Sequence, residues 1–335
     1  MRTTLVVRLD SDGDVLLAGP AVRAVSRSGD RVVLLCGPRG AAAARLLPGV
    51  ADIVVWRCPW VDPEPPAVEP VELLRLADQL RGCRVARALV LTSYHQSPLP
   101  TALLLRLARV PWIGAVSEDY PGSLLDLRHR LPDRGLHEVE RMLALVVAAG
   151  HPPDGSDLQL RRPLPDTRPL TGSGAYLVVH PGAAAPSRAP SAGWSAAAVR
   201  ALVADGHRVV VTGSLAERSA TATEPALDLR GRTTLAQLAD VLDRAACVVV
   251  GNTGPAHLAA AVGTPVVSLF APVVPAERWR PWGVPSVLLG DQLAACRLTR
   301  ARACPVPGHP CLDGIDPAAV VGAVHHLTRE LEASA

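Results

Sequence analysis

The chain has 335 residues, which at roughly 150 residues per domain sets an expectation of about two domains. It is 49% hydrophobic but only 3% aromatic, so its core must be built from Ala, Val and Leu; its 34 basic residues are all Arg and leave a net charge of +3. That charge is too small by itself to imply a nucleic-acid partner or a membrane surface, and no 18-residue apolar run escapes a charge, Gly or Pro, so no membrane span and at most peripheral membrane association is expected.

In chain order, residues 5–9 read as a strand, 14–28 as a helix, 32–35 as a strand, 41–47 as an Ala-rich helix and 52–56 as a strand. Residues 59–70 are Pro-rich and read as loop; 71–81 predict a helix, 88–92 a strand, 101–108 a helix and 137–149 an amphipathic helix. Residues 150–174, dense in Pro, Gly, Asp and Thr, are the expected linker. The second half restarts with a buried strand at 176–179. A helix (196–204), strand (208–211), helix (235–244), strand (247–250), helix (255–262) and strand (266–269) follow, and a helix at 317–331 closes the chain. Short continuous apolar strands between helices imply parallel sheets covered on both faces. The expected fold class is therefore α/β, with two doubly wound Rossmann-like domains facing a cleft: residues 1–165, residues 175–315, and a terminal helix over 316–335. No internal sequence repeat is present.

The opening MRTTLVVRLD lacks the apolar run and small-residue cleavage site of a signal peptide. Seven Cys is an odd count, and Cys36, Cys58, Cys83 and Cys247 are scattered singly. That pattern suits a reducing, cytoplasmic location in which most thiols act as small buried hydrophobes.

The stretch RLDSDGDVLL places Asp10, Asp12, Gly13 and Asp14 within five positions. A calcium loop would need Gly at position six and Glu at position twelve; counted from Asp10, the Gly falls at position four and position twelve is Ala21. The alternative is a strand-to-helix turn in which Gly13 permits the tight backbone and Asp14 opens the helix. There the free N–H groups and the helix dipole favour a carboxylate, as a simple cap or as a functional group. The loop sits at the carboxyl end of the first strand, where open α/β sheets bind ligands. Asp10 and Asp12 are expected to be solvated.

A second constellation, GNTGPAHLAAAVGTPVVSLFAP, follows the strand at 247–250. Gly251, Asn252, Thr253 and Gly254 form a turn, Asn252 or Thr253 can cap, and Pro255 fits a first helical position. The bare N–H groups of the helix start make an anion site within reach of His257. Two further strand ends fit the same anion. HPGAAAPSR carries His180, Gly182 and the guanidinium of Arg188, which can pair with phosphate. VTGSLAERSAT carries Glu217, which either accepts hydrogen bonds from ribose hydroxyls or simply complements a helix dipole.

Taken together, VVRLDSDGDVLLAGPAVRAV, LHEVERMLAL, HPGAAAPSR and GNTGPAHLAAAVGTPVVSLFAP resemble, in matching order, the blocks of glycosyltransferase family 9, the ADP-heptose:lipopolysaccharide heptosyltransferase-like enzymes. The resemblance implies a GT-B fold with an N-terminal acceptor domain and a C-terminal donor domain, and metal-independent, inverting transfer without a cofactor. It implies that Asp14 is the general base, that Arg188 holds the donor phosphate, and that Glu217 contacts the ribose. It also implies that Asn252, Thr253, Gly254 and His257 cradle the diphosphate. The donor would be a nucleoside-diphosphate sugar, ADP-sugar favoured, and the acceptor a glycan or glycolipid hydroxyl, as in lipopolysaccharide core synthesis. This chain has Asn252 where the family pattern has Asp, and Arg188 where it has Lys. Arg is planar and bidentate where Lys is a point charge. The final helix is expected to cross back onto the first domain. A hydrolysing sugar-nucleotide epimerase and a non-catalytic sugar-nucleotide-binding protein are the alternative readings.

Near the end, Cys296, Cys304, His309 and Cys311 offer three thiols and an imidazole, a conceivable zinc set. Seven and six residues separate the cysteines, so no C-x2–4-C pair exists, and a Pro-rich thiol-bearing loop is the expected reading.

Overall fold

In a computed structural model, which describes residues 1–132, 135–217 and 226–334, the chain divides into two compact units, Met1–Arg161 and Arg162–Ala335. The first carries β1 (Thr3–Arg8), β2 (Arg31–Cys36), β3 (Val50–Val55), β4 (Arg87–Val90), β5 (Trp112–Val116) and β6 (Leu127–His129), ordered β3-β2-β1-β4-β5-β6. The second carries β7 (Leu177–His180), β8 (Val209–Val211), β9 (Leu227–Asp228), β10 (Cys247–Gly251), β11 (Val266–Leu269) and β12 (Ser286–Leu289), ordered β12-β11-β10-β7-β8-β9. Every pairing is parallel.

Central strands such as Val32–Cys36 are buried along their length because helices cover both faces, which is why they read as unbroken apolar runs. In each sheet the chain starts in the middle, winds to one edge, then returns to the other side. The loops after β1 and β4, and after β7 and β10, therefore part in opposite directions. Such a switch point opens a crevice at the carboxyl ends of the strands.

Four strands lie outside the expected pattern: β5, β6, β9 and β12. Three are edge pieces of two to four residues, too short and too exposed to stand out as buried strands. The fourth, β5, contains Gly114, which gives room to the Trp112 ring; a Cβ there would lie 2.8 Å from it. The single helix expected over 14–28 is two helices, Asp12–Leu17 and Gly19–Arg27. Pro20 has no N–H to donate and its ring crowds the preceding turn, so one continuous helix cannot pass through it.

The expected linker is not loose. Arg161 N–H donates to the Leu46 carbonyl in the first unit, and Arg162 pairs with Asp243 while Thr167 donates twice to Asp240 in the second. The final helix, Pro317–Ser334, places Val320, Ala323, Val324 and Leu327 in the second unit's own core. Cys36, Cys58 and Cys247 are buried free thiols that burial pushes up to about 11, 12 and 12. Among the described residues no helix is long and apolar enough to cross a membrane.

Candidate functional site

At the switch point of the first unit, β1 ends in Arg8, whose side chain is fully buried. A buried guanidinium demands partners, because removing it from water unpaired costs several kcal/mol. It has several. Nε lies 3.1 Å from Asp10 Oδ2, Nη2 lies 3.0 Å from Asp14 Oδ1, and Nη1 lies 3.7 Å from Glu138 Oε2. Nη2 also donates to Ser93 Oγ at 2.8 Å. Burial opposes the charge on Arg8, but the three carboxylates outweigh it and hold its pKa above the ordinary value.

Asp10 and Asp12 are therefore not the solvated loop residues that composition suggested. Asp10 accepts from Gln96 Nε2 at 2.6 Å, and burial pushes its pKa up to about 6 against the pull of Arg8. Asp12 accepts from the N–H of Ala43 at 2.9 Å, so it caps the helix Ala41–Leu46 from outside its own sequence. Gly13 also differs from expectation: it is a buried residue inside the helix Asp12–Leu17, not the hinge of a tight turn. The helix is opened by Ser11, and Asp14, three residues on, reaches back to accept from Ser11 N at 3.3 Å and Ser11 Oγ at 2.9 Å. Of the three carboxylates around Arg8, Asp14 is the most exposed, at 21% against 14% for Asp10 and 0% for Glu138.

Arg8 and Glu138 were not singled out from the sequence. Glu138 had a signal: it shares a helix face with Met142 and Leu145, at i, i+4 and i+7, where an amphipathic pattern calls for apolar residues.

At the switch point of the second unit, β7 ends at His180 and β10 at Gly251, paired one residue apart. Gly251 is required here, since a Cβ would stand 2.5 Å from the Arg188 carbonyl oxygen. This close approach brings the HPG-to-Arg loop against the Gly251–Gly254 turn, two of the blocks read separately in the sequence. The helix Gly254–Val262 starts with Thr253 in the cap position, but the Thr253 side chain makes no cap hydrogen bond. Asn252 does not cap either. It is 5% exposed, donates from Nδ2 to the Ala271 carbonyl at 3.3 Å and accepts the Ala271 N–H at 3.2 Å, pinning the turn to the chain after β11. The helix start thus takes no cap from Asn252 or Thr253, and it lies with His257, which is 5% exposed, near the loop that carries the half-buried Arg188. Uncapped N–H groups with the positive end of a helix dipole can bind an anion.

His180 meets the Thr212 hydroxyl at 3.0 Å, and burial pushes its pKa down to about 4 although Glu217 pulls the other way. At neutral pH it offers hydrogen bonding, not charge. The Glu217 carboxylate fills the space that Gly182 and Gly213 leave by lacking a Cβ, and accepts from Ser214 N at 2.8 Å. The residues after it, 218–225, lie outside the described part of the chain.

The C-terminal thiol-bearing loop supports this site. His309 Nε2 contacts the Ser187 carbonyl at 3.1 Å, Ser187 Oγ donates to the Ala301 carbonyl at 2.6 Å, and Asp313 accepts from Ser191 N at 2.8 Å. Three contacts thus fasten the loop that carries Arg188. Cys311 is buried beside Cys296, and its thiol is pushed up to about 12, first by burial and then by Cys296 and Cys304.

Residues 73–307 match the family model described as glycosyltransferase family 9 (heptosyltransferase). Two curated Escherichia coli proteins, each described as lipopolysaccharide heptosyltransferase 3, are similar. One is 31% identical over 209 residues, covering 54% of this chain and 58% of that protein. The other, from strain K12, is 40% identical over 60 residues, covering 18% of this chain and 17% of that protein. The matched segments therefore span under two thirds of both relatives. Among solved structures, a family 9 glycosyl transferase from Veillonella parvula DSM 2008 superposes with a TM-score of 0.78 at 16% identity, covering 98% of each chain. The E. coli ADP-heptose lps heptosyltransferase II gives 0.75 at 20%, covering 99% of this chain and 100% of that one. E. coli heptosyltransferase WaaC with ADP-2-deoxy-2-fluoro heptose gives 0.70 at 20%, covering 97% and 99%. At these identities the likeness establishes the fold, which is GT-B.

Proposed function

We propose, for a chain that belongs to glycosyltransferase family 9 (heptosyltransferase), that it moves a sugar from a nucleoside-diphosphate donor to a hydroxyl of a glycan or glycolipid acceptor. The observation that carries this reading is the close approach of two loops at the ends of β7 and β10. There Gly251 lets the Arg188 loop close on the start of the helix Gly254–Val262, which Thr253 does not cap, with His257 alongside. A pyrophosphate suits that combination of guanidinium, N–H groups and imidazole. The relatives named for ADP and heptose favour an ADP-sugar and an acceptor related to lipopolysaccharide.

In this reading Asp14 is the base. The acceptor hydroxyl gives its proton to the Asp14 carboxylate as its oxygen attacks the anomeric carbon; the bond from that carbon to the diphosphate breaks, and the electron pair leaves with the nucleoside diphosphate. One base and one displacement invert the anomeric centre. Arg188, His257 and the helix N–H groups take up the charge developing on the leaving group, the role a metal fills elsewhere. Arg8 and Ser11 fix the Asp14 carboxylate through one oxygen each, and the side chain keeps 21% exposure. In the same reading Glu217, which sits against Gly182 and Gly213, accepts hydrogen bonds from the donor ribose.

The test is a transfer assay with ADP-heptose, with and without lipopolysaccharide core acceptors, alongside thermal shifts with ADP, UDP, GDP and dTDP. A ligand that binds only the folded state raises its melting point. Acceptor-dependent release of ADP and a selective ADP shift are expected; donor consumption without acceptor would mark a hydrolase instead.

A further inference from the structure

Outside the sites above, the end of the helix Ala192–Ala204 and the final helix Pro317–Ser334 bring three donor groups together. Asp205 is the C-cap of the first helix, and Gly206, at φ +89°, turns the chain so that His207 N–H donates back to the Leu202 carbonyl at 3.1 Å. This turn sets Asp205 and His207 side by side. His325, from the final helix, reaches the same carboxylate oxygen: its Nε2 lies 2.5 Å from Asp205 Oδ2, and His207 Nε2 lies 3.2 Å from it. The two imidazole rings stand 5.7 Å apart, edge to face. All three donor atoms lie within 4.8 Å of one another. Among the described residues His207 Nε2 is a buried atom with no hydrogen-bond partner, despite its nearness to the carboxylate.

From this geometry we infer a binding site for a divalent transition-metal ion, held by Asp205 Oδ2, His207 Nε2 and His325 Nε2. Two imidazoles and one carboxylate suit zinc, cobalt or nickel, and are a poor set for magnesium or calcium, which require oxygen ligands. Metal–nitrogen bonds of about 2.0–2.1 Å in a tetrahedron separate neighbouring ligand atoms by roughly 3.3 Å; the His207 spacing of 3.2 Å matches this, while the 2.5 Å hydrogen bond between His325 and Asp205 has to open as the ion enters. The ion gives the buried His207 nitrogen its partner, and it sits at the negative end of a 13-residue helix, where a cation is favoured. Three protein ligands leave the fourth position to water. The consequence is a staple between two helices of the second unit, formed by residues remote from β7 and β10 in the sequence.

The experiment uses the full chain, stripped of metal with a chelator and titrated with Co²⁺ and Zn²⁺. One equivalent should bind, with cobalt visible bands that lack thiolate charge transfer and with a melting temperature raised by several degrees. His325→Gln and His207→Gln should each weaken it at least ~10-fold while leaving the metal-free melting temperature near that of the parent, and His95→Ala should change nothing. The inference is overturned if no cobalt binds, if both Gln variants bind as the parent does, or if a thiolate band puts the ion on Cys296, Cys304 or Cys311.

Discussion

Arg8 Nη2 lies 3.0 Å from Asp14 Oδ1, although the arginine is wholly buried and the aspartate retains 21% side-chain exposure. The contact joins the inside of the first unit to its surface. Asp10, Asp14, Glu138 and Ser93 surround one guanidinium, so the position of the outermost carboxylate depends on a charge that solvent never reaches.

Asp14→Asn removes the proton acceptor while keeping the side chain's size. Transfer should fall by roughly 10²–10⁴-fold, with the thermal shift produced by ADP unchanged. A variant that transferred at the parental rate would remove Asp14 from the mechanism.

Arg8→Met leaves three carboxylates facing one another without their cation. Breaking a buried ion pair from one side costs about 3–5 kcal/mol, so the melting transition should drop by roughly 10 °C. Calorimetry checks this, and Arg8→Lys should recover only part of the loss, since an ammonium cannot reach Asp10, Asp14 and Ser93 at once.

Two buried groups give opposite pH slopes. The folded-state pKa of His180 is lowered from 6.5 to about 4. Its ring binds a proton more readily in the unfolded chain, so stability is lost as pH falls from about 6.5 to 4, on the order of 2–3 kcal/mol. Asp10 is raised from 3.8 to about 6, so its native carboxyl holds the proton more tightly and stability is lost as pH rises through that window. Urea midpoints between pH 4 and 7 should show His180→Gln less sensitive to acid than the parent, and Asp10→Asn gaining on the parent toward pH 7. Profiles parallel to the parent in both variants would contradict the burial described.

Gly251→Ala puts a methyl 2.5 Å from the Arg188 carbonyl. The loop must move, at a cost of about 1–3 kcal/mol, and the ADP-induced thermal shift should shrink more than the stability does. An unchanged ADP shift would separate this contact from donor binding.

Asn252→Asp restores the acid of the family pattern, yet here it loses the donor to the Ala271 carbonyl and sets a carboxylate against it. Destabilisation by about 1–3 kcal/mol is expected, measured by chemical denaturation. A neutral result would show that the chain after β11 can repack around the charge.

The local signals were legible in one dimension. Unbroken Val and Leu runs marked the buried parallel strands, Gly-Pro turns marked the helix start after β10, and the ordered blocks marked the family and with it the GT-B fold. The edge strands β6, β9 and β12 left no such trace because two to four half-exposed residues have no periodicity to read.

The amino-acid sequence alone determined the alternation of strands and helices and the strand-to-helix junctions near which Asp14, Arg188 and His257 lie, because backbone geometry and side-chain period act between near neighbours. Tertiary structure alone decided that Arg8 is a buried cation shared by Asp10, Asp14 and Glu138, that Asp12 caps a helix it does not belong to, and that Asn252 pins a turn instead of capping one. Glu138 lies 130 positions from Arg8 in the chain. What pairs them is the cost of an uncompensated charge in a space that strand ends, loops and helix starts enclose together.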